Sequence, residues 1–466
     1  MTVETSEAFA KVWSTLGGAA QAPERMIFTG DGPGLPSAFK VGLAAQVSEG
    51  AAGLAAAEVW RTRTGATQSV AIDRDEAAIG FRSERHAHVV GEEPEYIWDD
   101  ISGYYQCGDG RWVQLHCNYP HHMANATAAF HSPVSRAGMQ RVLNGLTGAE
   151  AEQILIDNSL PGGMLRTTDE WRGHSAGQAL QNAPLLDISQ LGASDAKPWS
   201  ANPIRPLDGV KVLDMTRVIA GPVCGRTLAA FGAEVLRLTP PRFPDRTPLI
   251  LDGGAGKRNA LLNVKSAEGL AIFRDLVREA DIIVQGYRPG ALDAIGVGPD
   301  AIRDINPSIV CITLCAFGYE GPWAQRRGFD SIVQTVSGIA DAGGRAAGLA
   351  KGAAKPLPAQ ALDHASGYLM AAMAMTALLR QRQEGGAWRA RSALAWTGRW
   401  LESLGRINAI DEPEPSTDAI TAYMQDEHGP FGHVRRIGMA TKLSATPGYW
   451  TIPAAPLDQH TPSWAA

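Results

Sequence analysis

The stretch from Leu207 to Leu238, LDGVKVLDMTRVIAGPVCGRTLAAFGAEVLRL, constrains the fold most, because it holds all the parts of a strand, loop, helix, strand unit. The apolar run Val210 to Met215 suits a buried strand, Ala220-Gly221-Pro222 punctuates a loop, Val223 to Phe231 is compatible with a helix, and Glu234 to Leu238 returns as a strand. One such unit commits this part of the chain to a parallel sheet. The helix N-terminus offers unpaired backbone N–H groups and a positive dipole end, which attract phosphate. A nicotinamide dehydrogenase is disfavoured: there is no G-x-G-x-x-G, and the second strand ends in Thr239 rather than in an acid that would hold a ribose.

Further ordered motifs follow: Gly256-Lys257-Arg258-Asn259, Leu261 to Gly269, Ala280 to Val284, Tyr287-Arg288-Pro289-Gly290, the strand candidate Ser308 to Leu314 introduced by Asn306-Pro307, and Arg327-Gly328-Phe329-Asp330. From Leu207 to about Leu401 this series resembles the family III CoA-transferases, the CaiB/BaiF group. The likeness returns near the C-terminus in His428-Gly429-Pro430, Lys442-Leu443-Ser444, Thr446-Pro447-Gly448, Ala455-Pro456-Leu457 and His460-Thr461. The resemblance implies an α/β fold: a Rossmann-like parallel-sheet large domain with a smaller α+β domain, in the family's interlocked arrangement. It also makes a homodimer the expected state, although an N-terminal segment that closed the ring within one chain would serve instead.

The catalytic expectation centres on Asp363. The segment Leu369 to Arg382 that follows is rich in alanine, methionine and other helix formers, which puts Asp363 at or just before a helix N-terminus. There the dipole favours an ionised carboxylate, and a carboxylate beside a thioester is a nucleophile that divides acyl transfer into easier steps. From spacing alone Asp363 is more often an ordinary helix cap. The resemblance implies that it attacks an acyl-CoA to give a mixed anhydride and then an aspartyl-CoA thioester, from which a carboxylic acid collects the CoA. An intramolecular CoA transfer between two carboxylates, and a non-catalytic CoA-binding subunit, are the alternatives. Asp330, before the helix candidate Ser331 to Ala340, is given an architectural role. His364 is expected to be partly exposed.

CoA carries three phosphate groups, so Lys257, Arg258 and Arg288 are its expected contacts, with Lys265 equally a solvated charge. Gly343-Gly344 and Gly348 suggest a flexible loop that closes over the intermediate, or a plain surface connection. Two departures narrow the chemistry. Racemases of this fold use a histidine just before the aspartate of the Gly-Phe-Asp position, whereas this chain has Phe329, which disfavours racemisation. In formyl-CoA transferases a glutamine precedes Ala-Gly-Pro at the acyl site. Here Ile219 stands there and suggests a more apolar acyl group.

Before Leu207, Ala55 to Gly65 with Gln68 to Ile72 resembles the stretch after Asp363, as in an internal repeat. Aligning Gly50 on Gly367 puts Gln46 opposite Asp363, and aligning Arg61 on Arg380 puts Ala44 there. Either way the first copy lacks the nucleophile. Tyr104-Tyr105 with Gly108 to Leu115, and then Thr168 to Trp171, resemble the family's small domain. The expected layout is a partial first repeat over 1–100, a small domain over 101–200, the large domain with the nucleophile over 201–404, and a linker and tail over 405–466 that pack on the large domain.

The 466 residues, 45% of them hydrophobic, suffice for two or three cores. A net charge of −6 without a dense basic stripe argues against nucleic acid as a partner. The N-terminus MTVETSEAFAKVW lacks a basic and apolar leader, and no apolar run is long enough for a bilayer, so no membrane partner is expected and the cytoplasm is the default location. The five cysteines form no C-x-x-C pair and are expected to be reduced and structural. His116, His121 and His122 lie close to Cys117, but without metal-ligand spacing they are expected at a surface or interface. No metal and no resident cofactor are expected, CoA being a substrate. G-x-S-x-G is absent, so a serine nucleophile is set aside.

Overall fold

The computed structural model describes residues 3–93, 95, 98–242, 245–350 and 352–465. A seven-stranded sheet organises it: β1 (Asp187–Gly192), β2 (Lys211–Met215), β3 (Glu234–Thr239), β4 (Lys257–Leu261), β5 (Ile282–Gln285), β6 (Val310–Cys315) and β7 (Ala387–Ala393). Their order is β4-β3-β2-β5-β6-β7-β1, parallel throughout except for antiparallel β1 at the edge. Strand side chains alternate between two cores. Val212, Val235, Ile282 and Ile312 face the larger one, and Leu213, Leu236, Ile283 and Cys311 face the other. Burial on both faces explains why these strands read as near-continuous apolar runs. The chain moves outward from β2 in one direction and from β5 in the other, so the crevice beyond the C-terminal ends of these neighbours is where such sheets bind ligands.

Four helices carry the argument below: α1 (Val41–Thr64), α2 (Ala220–Ala230), α3 (Asp330–Ser337) and α4 (Ala361–Glu384). Residues 361–378 of α4 are all buried, the mark of a central helix rather than an amphipathic surface one. It packs on α2 across Gly367, where an added Cβ would lie 2.5 Å from the Ala220 carbonyl oxygen, and this close approach brings the first turn of α4 against Ile219 and Ala220. The helix expected over Ser331 to Ala340 is instead two helices, α3 and Ile339–Ala346, separated by Gly338 at φ +93°.

α1 and α4 are counterparts. Each has 24 residues, each is entered through a residue near φ −77°, ψ 61° (Lys40 and Gln360), and each is capped by a positive-φ glycine (Gly65 and Gly385). Each then leads through a strand that pairs in parallel with its neighbour into another helix, Arg74–Gly80 in one case and Leu394–Ser403 in the other. Matching helix starts and glycine caps sets Leu43 at the place of Asp363. Neither register considered from the sequence, Gln46 or Ala44, agrees with this, because both were anchored on interior residues rather than on the helix ends.

Residues 101–164 enclose a separate core of Tyr105, Val113, Leu115, Met139, Leu143 and Leu155 under a three-stranded antiparallel sheet. This small lobe is shorter than the 101–200 expected. Trp171 and Leu180 join the main core, and β1 joins the large sheet. The tail packs on the large domain, where Gly256 and Asn259 bond to Ile452, Ala455 and His460. It also packs on the N-terminal segment, since Gly432–Ile437 pairs with His88–Val89 and Lys442–Leu443 with Val70–Ala71. The five cysteines are buried and unpaired with one another. Among the described residues no helix is long and apolar enough to cross a membrane.

Candidate active site

Asp363 is the third residue of α4 and only 8% exposed. It lines a cavity with Trp98, His116, Asn118, Tyr119, Val218, Ile219, Arg246, Leu249, Phe329 and Gln360, and is the only acid among these described lining residues. The walls come from both halves of one chain. Asp245 ties them together: its carboxylate accepts from the Tyr119 hydroxyl of the small lobe at 2.6 Å, from the Val218 amide at 3.1 Å and from buried Arg237 at 2.7 Å. Arg246 adds hydrogen bonds to the Asn118 carbonyl at 2.9 and 3.1 Å. Val218 is held at φ +70°, strained for a β-branched residue, directly before Ile219.

The electrostatics depart from the simple helix-dipole expectation. Asp330, at the start of α3, accepts from the Leu362 and Asp363 amides at 2.8 and 2.9 Å and from Gln334. Two of the free N–H groups of the first turn of α4 are therefore spent on Asp330, an architectural use of that carboxylate. Asp363 is left to burial, and next to the Asp330 and Glu84 carboxylates, all of which push its pKa well above the ordinary carboxylate range. His364 is completely buried rather than partly exposed. Its Nε2 lies 2.9 Å from a Glu84 oxygen, and its ring stacks on Phe81. Burial raises the Glu84 pKa, but the hydrogen bond and attraction to His364 outweigh it and the net shift is downward.

The expected CoA contacts fall in different places. Lys257 is 0% exposed, and its Nζ bonds to Asp214 at 2.7 Å and to the Pro222 carbonyl at 2.9 Å, so it is committed inside the sheet and is not presented to a phosphate. Arg258 sits on β4 with Glu234 at 3.7 Å and is not among the residues that line the cavity. Arg288 follows β5 and reaches the Gln325 carbonyl at 3.3 Å. Met215 and Gln285 are register partners, so Arg217 and Arg288 leave adjacent strand ends at the switch point. Burial, then Arg288 and Arg217, lower the Arg327 pKa, which places three guanidinium groups close together. Sequence reasoning missed Arg217 and Arg327. Their signal was their position directly after β2 and directly before Gly-Phe-Asp.

Gly343 and Gly344 do not form a loop. Both are buried inside the helix Ile339–Ala346, where added Cβ atoms would meet the Lys355 and Ala353 carbonyl oxygens at 2.2 and 2.1 Å, so they admit the 353–355 backbone rather than act as a hinge. Ile219 lines the cavity. His116 and His122 are buried, not superficial, and burial lowers their pKa to about 4 and about 3. No group of three or more His, Cys, Asp or Glu side chains arranged to hold a metal ion occurs among the described residues.

Residues 207–402 match the family model for CoA-transferase family III, so this central segment is of the family III CoA-transferase kind. The chain is 34% identical over 216 residues to an acetyl-coenzyme A transferase of Hypoxylon pulicicidum, covering 46% of this chain and 36% of that protein. It is 36% identical over 150 residues to a human succinyl-CoA:glutarate CoA-transferase, covering 30% and 34%. Formyl-CoA:oxalate CoA-transferase of Streptomyces avermitilis is 31% identical over 263 residues, covering 54% and 61%. The chain thus spans roughly a third to six-tenths of the length of these curated relatives. Among solved structures, a Mycobacterium tuberculosis protein matches at 30% identity with a TM-score of 0.40, over 43% of this chain and 57% of that one.

Proposed function

We propose that this protein is a CoA-transferase that moves CoA from an acyl-CoA donor to a carboxylic acid through Asp363. The observation that carries the proposal is the cavity itself: among its described lining residues it has one acidic side chain, on the first turn of a buried helix, with apolar walls that include Ile219 and Phe329. An Asp363 oxygen attacks the thioester carbonyl, and the C–S bond breaks to release CoA thiolate and leave a mixed anhydride. The thiolate attacks the aspartyl carbonyl of the anhydride, releasing the donor acid and leaving an aspartyl-CoA thioester. The acceptor carboxylate repeats the two steps in reverse, and Asp363 is regenerated. One thioester replaces another, so no ATP enters. The apolar walls favour an acyl group more apolar than formyl or oxalyl.

The arginines at the switch point, Arg217, Arg288 and Arg327, supply donors for the CoA phosphates, a task for which guanidinium groups are well suited. Arg288→Ala is expected to weaken CoA binding by about tenfold, the loss of one charge-assisted contact of roughly 1.5 kcal/mol, with thermal stability unchanged. Calorimetric titration with CoA checks this.

The proposal is tested by incubating the protein with a panel of acyl-CoA thioesters, quenching with hydroxylamine or borohydride, and mapping modified peptides by mass spectrometry. Modification confined to Asp363 is expected and identifies the donor. Absence of modification across the panel, with CoA still bound, rejects the transferase reading in favour of a non-catalytic CoA-binding subunit.

A further inference from the structure

His116 follows directly on the small-lobe strand Trp112–Leu115 and lines the same cavity as Asp363 while being only 6% exposed. Its ring stacks on Phe329 with centroids 4.0 Å apart and planes within 12°. Phe329 precedes Asp330, whose carboxylate holds the Leu362 and Asp363 amides. The plane of the imidazole is therefore fixed relative to the turn that carries the nucleophile.

The surrounding hydrogen bonds also decide where its proton sits. Asn118 Oδ1 accepts from the Asp99 amide at 3.0 Å and from the Ser102 hydroxyl at 2.5 Å, so the Asn118 amide nitrogen is the atom that faces His116 Nε2, at 3.4 Å. That nitrogen only donates. Nε2 must then accept, and the proton is on Nδ1. Nδ1 is buried and has no partner beyond the weak pull of its own backbone. Burial holds the ring basicity down, to a pKa of about 4, so the imidazole is neutral at pH 7 and is a donor rather than a charge. Two other polar groups of this wall are already engaged: the Tyr119 hydroxyl donates to Asp245, and Arg246 donates to Asn118 and Glu95. A buried N–H without a hydrogen-bond partner, on a residue that lines the same cavity as a carboxylate nucleophile, is a candidate donor to an oxygen acceptor.

We propose that His116 is a catalytic residue of the transfer reaction, its Nδ1–H donating a hydrogen bond to the acyl carbonyl oxygen while Asp363 attacks. The proposal rests on the CoA-transfer reading and adds to it the group that stabilises the oxyanion. As the new C–O bond forms to Asp363, the carbonyl π electrons move to oxygen, where His116 stabilises them. Collapse of the tetrahedral species expels the thiolate with the C–S electron pair. His116 keeps its proton throughout, and for this reason a neutral, weakly basic ring suits the task. Asn118 is a positioning residue that fixes the tautomer.

Three proteins decide the matter: wild type, His116→Phe, which preserves an aromatic stack on Phe329 without a donor, and His116→Gln, which restores an N–H donor. Each is measured for kcat, KM, hydroxylamine-trapped Asp363, CoA affinity and melting temperature. His116→Phe is expected to lose about 10²-fold in kcat and in the rate of Asp363 trapping, with CoA affinity unchanged, and His116→Gln to recover at least tenfold of that loss. Wild-type kcat in a folded His116→Phe protein overturns the proposal, and so does a folded His116→Gln protein as slow as His116→Phe. If His116→Phe does not fold, the ratio of His116→Gln to wild type decides: a kcat within about tenfold, with KM unchanged, upholds the donor, and a greater loss overturns it. Failure of the underlying reading looks different, because wild type itself then shows no trapped Asp363, and both proposals fall together.

Discussion

Asp363→Ala is expected to lower turnover by about 10⁴-fold or more, the scale seen when a covalent nucleophile is removed, while leaving CoA affinity within about twofold. The affinity is spared on the proposed reading because the phosphates meet the switch-point arginines, of which Arg217 and Arg288 leave different strand ends from the one that precedes α4. A coupled assay of acyl-CoA consumption and a CoA titration measure the two quantities. Activity that survives the substitution would end the aspartyl mechanism. The Asp363→Asn protein offers a second readout, of stability. Asp363 sits buried near two other carboxylates, Asp330 and Glu84, which raise its folded-state pKa above the unfolded value of about 3.9. Across the window between those two values the folded state binds more protons than the unfolded state, so wild-type stability falls as pH rises. Above the folded pKa the full cost is present. The Asn variant carries no such cost, and its stability advantage should be absent near pH 3 and grow through that window towards neutral pH. The same shift predicts that wild-type turnover rises with pH, since only the ionised carboxylate attacks. Denaturant melts across a pH series check the first expectation and kcat profiles the second.

What the sequence disclosed and what it hid divide along physical lines. The β2, α2, β3 unit was legible from Leu207 to Leu238 because its strands are buried on both faces and its loop is marked by Gly221 and Pro222. The position of Asp363 on the first turn of α4 was legible from the helix formers that follow it. The environment of these residues was not. Lys257 occurs in a motif that reads as a cationic loop, and only the pairing of β4 with β3 shows that its side chain points at Asp214. Gly343 and Gly344 look like a hinge until the 353–355 backbone is found lying across them. Glu84 and His364 are 280 residues apart and meet only because the segment after α1 packs on α4. His116 was dismissed for lack of metal-ligand spacing, when its relevant neighbours, Phe329 and Asn118, are set by the docking of the small lobe. Periodicity and punctuation report on local structure, whereas pKa values, tautomers and unpaired donors belong to contacts between distant segments.

Lys257→Met is expected to destabilise the fold by about 3–5 kcal/mol, the range for removing one partner of a buried ion pair. Lys257 Nζ and Asp214 Oδ2 are 2.7 Å apart with both side chains 0% exposed. Burial pulls the Lys257 pKa down and the attraction of Asp214 opposes it, leaving a net lowering, so the pair carries a desolvation cost that is offset only while both members are present. Without the ammonium, Asp214 keeps the Thr216 amide at 2.9 Å and the Thr216 hydroxyl, too little to satisfy a buried charge. The Pro222 carbonyl in the first turn of α2 loses its donor as well. α2 rests directly on the pair, since a Cβ at Gly225 would come within 2.6 Å of Asp214 Oδ2 and 2.7 Å of Lys257 Nζ. The loss should therefore appear as a lower denaturant midpoint with an unchanged m-value, while the protein that remains folded binds CoA with wild-type affinity. A double variant, Lys257→Met with Asp214→Leu, should recover much of the stability, because replacing both partners removes the orphaned charge. A Lys257→Met protein of normal stability whose CoA affinity drops tenfold would instead return Lys257 to the phosphate contacts that the sequence suggested. Arg288→Ala supplies the contrast: its expected defect is in binding with stability kept. Together the two variants separate the cation that holds α2 in place, and with it Ile219 at the acyl cavity, from the cations that meet the ligand.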